Sequence, residues 1–362
     1  MKNEDQNCLL INLIEEGLKN PRRVKELITK SIEFNKLDLR DLVVFTEAAS
    51  KNYVVTPIIA AMAGARVYAI TRDSTYGKAK DIEKFTYEFA EFCSVKDKIS
   101  VIFEKKEEIV SKANIITNLG FVRPIDSNFL GMVNKNAVIS YMYETWEFRT
   151  SDLDLNECKS REIPVLGTNE HYPNLDIFGF VGNLCMKMLL NMEVEIYKNK
   201  IVIVSNDMFG DAIKKCLENN GAEVYLVRNL KAETNRQYLH AADALIIADY
   251  LNNDILIGGD DAQISAEDLK NYSHSISVIQ FAGDVDIKYL EHYNIPYYPK
   301  KRVGTFRMGM TLAELGPKPI IDLHSAGLKV GQVMARARLA GNSVEETKNI
   351  ALKYSPAQDF IS

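Results

Sequence analysis

The chain has 362 residues, room for about two domains, and its 46% hydrophobic and 26% charged residues are ordinary for a globular protein. A net charge of −5 speaks against nucleic-acid binding through bulk charge, and five cysteines without a CxxC pair read as reduced thiols of a cytoplasmic protein. Residues 1–6 are too polar for a signal peptide, and the apolar stretch 54–70 is broken by Pro57 and Arg66 before it could cross a bilayer. The first forty residues then keep a helical period. Leu9, Leu10, Leu13, Ile14 and Leu18 form one apolar set, Gly17 and Asn20-Pro21 interrupt it, and Val24, Leu27, Ile28 and Ile32 form a second.

From residue 42 short apolar runs alternate with helical patterns. The runs lie at residues 42–45, 66–70, 99–103, 114–117, 137–140 and 163–166. Such alternation predicts a parallel sheet covered on both faces. A second series starts at Lys200, with runs at 201–204, 223–227, 244–247 and 276–279. The tail from Pro319 is helical again, with Leu323, Leu328, Val330, Val333 and Met334 on its apolar side. The fold class is therefore α/β: two Rossmann-like parallel-sheet domains with a cleft between them. The outer, substrate domain spans residues 1–197 and 318–362, and the inserted nucleotide-binding domain spans 198–317.

The segment 200–213 has the strand–turn–helix layout of a dinucleotide fingerprint. Ser205 and Asp207 stand where the first two fingerprint glycines belong, and Gly210 is the third. Ser205, Asn206, Phe209 and Gly210 are the cofactor-binding candidates. The next strand ends at Arg228, where an NAD site carries an acid, so Arg228 favours NADP over NAD. Asp207 and Asp211 put negative charge where phosphate would lie. The alternative is a Rossmann-like fold that has lost its dinucleotide or binds it unusually.

From residue 46 onward the chain resembles the S-adenosylhomocysteine hydrolases and, more loosely, the formate/glycerate (D-2-hydroxyacid) dehydrogenases. Residues 46–67, ending in Gly64-Ala65-Arg66-Val67, look like the early hydrolase helix and its following strand. Glu144-Thr145, Ile163-Pro164 and Asn169-Glu170 follow in the order of the family's E-T, V-P and N-D pairs. Residues 313–317 and Gly331-Gln332-Val333-Met334-Ala335 resemble the hydrolase's closing segment. The resemblance implies a two-domain fold that often performs hydride chemistry. Its lysine and aspartate for the ribose hydroxyl would fall at Asn174 and Phe178, and its early histidine near Ala48. Its late histidine has no match in 280–284. The hydrolase activity is therefore not carried over.

Glu144 follows a predicted central strand beside Tyr143 and Trp146, where a carboxylate can act as general acid or base. His171 and His324 are the other proton-transfer candidates. Arg72 and Arg123, each after a strand, and Asn169 are the substrate-binding candidates, since arginine forks onto carboxylate or phosphate. No cluster has metal-ligand spacing. These readings lead to an NAD(P)-dependent oxidoreductase, cytoplasmic, acting on a small anionic or nucleoside-type metabolite. It would bind neither nucleic acid nor membrane and would form a homo-oligomer such as a dimer. The alternatives are a hydrolase or lyase of adenosylhomocysteine-hydrolase type with altered chemistry, and a non-catalytic nucleotide-binding protein.

Overall fold

A computed structural model describes the backbone of residues 3–360 apart from residue 174, with side chains described from residue 7 onward. Two compact units emerge, one made of Met1–Asp176 with Gly316–Ser362 and the other of Ile177–Leu315. The sequence reading places the first boundary at 198, and the contacts place it at 177. The reason is the helix Gly179–Asn191, which packs against the helix Met208–Asn219 of the second unit. A Cβ on Gly182 would lie 2.3 Å from the Cβ of Cys216, so this helix pair approaches at glycine distance.

Unit 1 is built on β1 (Val43–Glu47), β2 (Arg66–Ile70), β3 (Ile99–Ile102), β4 (Ile115–Thr117), β5 (Val138–Ser140) and β6 (Val165–Thr168). Their spatial order is β3-β2-β1-β4-β5-β6, all parallel. That is the doubly wound order whose direction of travel reverses between β1 and β4. Val and Ile dominate these strands because most of their positions on both faces are buried. Phe45, Ile116, Ile139 and Val165 point into a core with Phe129, Leu130 and Leu153. The helix Pro317–Leu339 lies on the other face. A Cβ on its Gly331 would lie 2.6 Å from Ile115, and one on Gly327 2.7 Å from the sulfur of Met142. Two small residues one helical turn apart thus let a long helix sit close on a flat sheet. The N-terminal helical pattern forms Asn3–Glu15 and Pro21–Phe34. Asn20 caps the second by accepting the Arg23 N–H at 3.0 Å, and Pro21 opens it.

Unit 2 carries β7 (Lys200–Val204), β8 (Glu223–Val227), β9 (Ala244–Ala248), β10 (Ile255–Gly258), β11 (Ile264–Ser265), β12 (Ser277–Ala282), β13 (Asp284–Val285) and β14 (Tyr297–Tyr298). The main sheet runs β8-β7-β9-β12-β14, all parallel. This is the other common doubly wound order, with its reversal between β7 and β9. A small sheet, β11-β10-β13, stands beside it. The edge strand β15 (Ala357–Gln358) returns to unit 1 and pairs antiparallel with β6. Both α/β domains are thus present. Among the described residues all five cysteines are free thiols, and no helix is long and apolar enough to cross a membrane.

Candidate functional site

In open α/β sheets, ligands gather beyond the carboxyl ends of the strands at the point where strand order reverses. Each unit has one such point, and both hold acids. In unit 2 the point lies between Ser205, after β7, and Asp249, after β9. The helix Met208–Asn219 starts here with Asp207 as its N-cap. Asp207 Oδ1 accepts the Phe209 N–H at 2.9 Å, and its Oδ2 accepts the Tyr250 N–H at 2.7 Å. Ser205 Oγ accepts the N–H groups of Asp207 and Gly210 at 3.3 and 3.2 Å. Asp249 accepts from the Asn206 N–H at 3.2 Å, from the Asn206 side-chain amide at 3.0 Å and from that of Asn252 at 2.8 Å. Burial pushes the Asp207 carboxyl up, and the backbone donors partly offset this.

Gly210 does what the third fingerprint glycine does. A Cβ there would lie 2.5 Å from the Ser205 Cβ and 2.9 Å from Leu226, so only glycine lets this helix sit on these strands. Phe209 is buried among Phe178, Tyr250 and Phe281, so its ring is core and its backbone N–H is what faces the turn. Arg228 is exposed, and its carbonyl accepts the Asn206 side-chain amide at 2.6 Å. The strand, the turn and Gly210 fit a dinucleotide. Asp207 does not, because its carboxylate takes up the donor and the space that a pyrophosphate needs.

In unit 1 the corresponding point lies between β1 and β4, where the hydroxyls of Thr46 and Thr117 meet at 2.9 Å. Glu47 ends β1, and only 7% of it is exposed. Its Oε2 accepts the Phe121 N–H at 3.0 Å. Burial pushes this carboxyl up, opposed by that hydrogen bond and by Arg123. Gly120 packs tightly beside it, since a Cβ there would stand 3.0 Å from Glu47 Oε2. Asn118, after β4, accepts the Met142 N–H at 2.8 Å, and its buried Nδ2 has no hydrogen-bond partner among the described residues. Arg123 is ion-paired with Asp152, which Arg149 also approaches at 3.9 Å. Arg72 is exposed over the ring of Phe121, 5.6 Å from its centroid.

Glu144 follows β5 and is buried. Its Oε1 accepts the Glu170 N–H at 2.7 Å and so ties the loop after β5 to the loop after β6. Burial and the charge of Glu144 push Glu147 up to about 7 against the pull of Arg149. Burial, with Glu147 and Glu144, raises Glu170 well above the carboxylate range. The carboxyl poised near neutrality in this loop is thus Glu147, two backbone links beyond the predicted pair Glu144-Thr145. Asn169 accepts the N–H of His171 at 2.9 Å, and His171 is exposed in the same loop.

His324 has a different setting from the one expected. It is fully buried in the helix Pro317–Leu339, with Nδ1 2.6 Å from the hydroxyl of Thr56. Burial pushes its pKa down to about 3. An imidazole held neutral in the core does not supply a proton near neutral pH, so its role is structural. Of the hydrolase-like positions, Phe178 is core, and Asn174 lies outside the described residues. Sequence reasoning did not single out Glu47, Glu170 or Asp249 as site residues, and of the two acids that flank Trp146 it chose Glu144 over Glu147. Glu47 and Asp249 each directly follow or end an apolar strand run, which is the signal that could have found them.

No family model matches this chain, and no curated protein matches it in sequence. Solved structures do resemble it. One dipicolinate synthase subunit, from Bacillus halodurans, aligns with a TM-score of 0.51 at 12% identity, over 83% of this chain and 99% of that one. Its counterpart in the dipicolinate synthase of Bacillus subtilis gives 0.47 at 12% identity, over 86% and 99%. NAD+-bound 3-phosphoglycerate dehydrogenase from Entamoeba histolytica gives 0.42 at 11% identity, over 83% and 96%. At these identities the likeness is one of fold, and the chain shares the two-domain Rossmann-type fold of the Bacillus halodurans dipicolinate synthase.

Proposed function

We propose that this chain is an NAD(P)-dependent oxidoreductase acting on a small anionic or nucleoside-type metabolite. The observation that carries the reading is the strand–turn–helix at the β7/β9 reversal, closed by Gly210, in a fold shared with the Bacillus halodurans dipicolinate synthase. Unit 2 takes the dinucleotide along Ser205, Asn206 and the amides before Phe209 and Gly210. Arg228, exposed after β8, favours the extra phosphate of NADP. Bound there, the dinucleotide supplies or accepts the hydride.

Unit 1 takes the substrate beyond the carboxyl ends of its strands. Arg72 and Arg123 attract the anionic group, and Asn169 and the unpartnered amide of Asn118 offer hydrogen bonds. Glu147 holds or releases the proton, because its carboxyl changes state near neutrality. Glu144 positions that loop through Glu170, and His171 lies beside it. Calorimetric titration with NADP and NAD tests the cofactor, followed by a screen of small acids and nucleosides for a change in reduced-nicotinamide absorbance. Binding of either cofactor with turnover of one such compound is expected. Turnover without a nicotinamide cofactor rejects the reading.

A second reading, a non-catalytic protein on the same fold, is favoured by Asp207, which already bonds the Phe209 and Tyr250 amides. Absence of binding to both cofactors supports it.

A further inference from the structure

We infer that Asp207 is a resident occupant of the anion seat in unit 2 and that it sets how tightly the domain takes the pyrophosphate of a dinucleotide. This rests on the dinucleotide reading above. A pyrophosphate at a helix N-terminus is held by the free N–H groups of the turn and of the first helical residues. In this turn four of those groups already have an acceptor from the chain. The Asn206 N–H goes to Asp249, the Asp207 and Gly210 N–H groups go to Ser205 Oγ, and the Phe209 N–H goes to Asp207. The Asp207 carboxylate also reaches across to the Tyr250 N–H at 2.7 Å, so it spans both sides of the β7/β9 reversal.

The charge points the same way. Asp207 and Asp249 stand together, and the next acid, Asp211, lies in the first turn of the helix. Neither of the side chains that bond Asp249, Asn206 and Asn252, carries a positive charge. An incoming diphosphate must therefore displace one carboxylate from its amides and lie beside another. Glycine at position 207 would free the Phe209 and Tyr250 donors and remove one negative charge, and asparagine would remove the charge while keeping the shape. Occupancy and charge can thus be separated.

The test is calorimetric titration of the full chain, as wild type, Asp207→Gly and Asp207→Asn, with NADP, NAD and adenosine. Circular dichroism and thermal melting confirm that each protein is folded. Affinity for the dinucleotides should rise about tenfold or more in Asp207→Gly and less in Asp207→Asn, because a charge-assisted hydrogen bond is a strong competitor. Adenosine, which has no phosphate, should bind all three proteins alike. If the wild type fails to bind and Asp207→Gly binds, the inference stands and the oxidoreductase reading falls. If wild type and folded variants bind equally, the inference falls and that reading stands. If no folded variant binds, both fall. Should Asp207→Gly not fold, Asp207→Asn decides: affinity above wild type upholds the inference, and unchanged affinity overturns it.

Discussion

Two carboxylates sit at the strand-order reversal of unit 2, and their oxygens are occupied by the backbone and by two asparagine side chains. At the reversal of unit 1, Glu47 accepts the Phe121 N–H, and the neighbouring Asn118 keeps a buried amide nitrogen without a partner among the described residues. The contrast extends into the cores. Among the described residues, Thr71, His324 and Ser325 of unit 1 also have buried polar atoms with no partner, whereas in unit 2 the case is Gln280. Buried polar groups are nearly always satisfied, so an orphan asks for a water, a ligand or a role. Unit 2 has closed its reversal point on itself, and unit 1 has left donors over. Similar sheets with similar acids thus differ in how far they are self-satisfied.

The largest expected effect that sharpens this contrast is at His324. Its folded pKa of about 3 lies below its ordinary 6.5. The unfolded chain takes up a proton below 6.5 and the folded one does not, so stability is fully present above 6.5 and drains away as pH falls toward 3. A loss on the order of 3 kcal/mol or more is expected over that range. The single tryptophan, Trp146, lies in unit 1 and reports it by fluorescence during denaturant melts. His324→Gln should remove this acid limb, and an unchanged limb in that variant would assign it elsewhere.

Glu147 predicts the opposite slope. Its folded pKa is raised from 4.5 to about 7, so the folded state holds a proton that the unfolded state has lost. Stability should fall as pH rises through that interval, by roughly 1–3 kcal/mol. Glu147→Gln should flatten the profile there, and parallel profiles for the two proteins would mean that this carboxyl titrates normally.

Gly210→Ala attacks the packing of unit 2. The added methyl meets Ser205 at 2.5 Å and Leu226 at 2.9 Å. A cost of about 1–3 kcal/mol is expected in chemical denaturation. A neutral result would show that the helix slides easily on its strands.

The smallest effects test the contrast by their signs. Asp207→Ala removes a cap with two backbone partners and should cost about 1 kcal/mol. Glu47→Gln keeps an acceptor for Phe121 but removes a charge that burial penalises. Its stability at neutral pH should be unchanged or higher by up to about 1 kcal/mol. If both substitutions cost alike, Glu47 is as well satisfied as Asp207.

Much of the architecture was legible in the residues. The ten apolar runs read from the sequence all lie in or overlap observed strands, because both faces of a doubly wound sheet are largely buried and its strands are rich in Val, Ile and Leu. Short strands with fewer apolar residues, such as Asp284–Val285 and Ala357–Gln358, were not legible, since their pairing depends on where neighbouring strands end. The helix Gly179–Asn191 was not singled out in the sequence, and its place in unit 2 is assigned by a glycine contact with Cys216.

The site divides in the same way. The strand–turn–helix, Gly210 and the acids at positions 144 and 207 can be read along the chain, since each depends on neighbours a few residues away. What each acid does was decided in three dimensions. Asp207 is held by an amide 43 residues away, Glu144 by one 26 residues away, and Glu147 is raised by burial that no local pattern reports. His324, a proton-transfer candidate in the sequence, is core, because the helix that carries it turns that face toward Thr56. Periodicity sets which residues share a face, but hydrogen-bond partners and desolvation are properties of the packed chain.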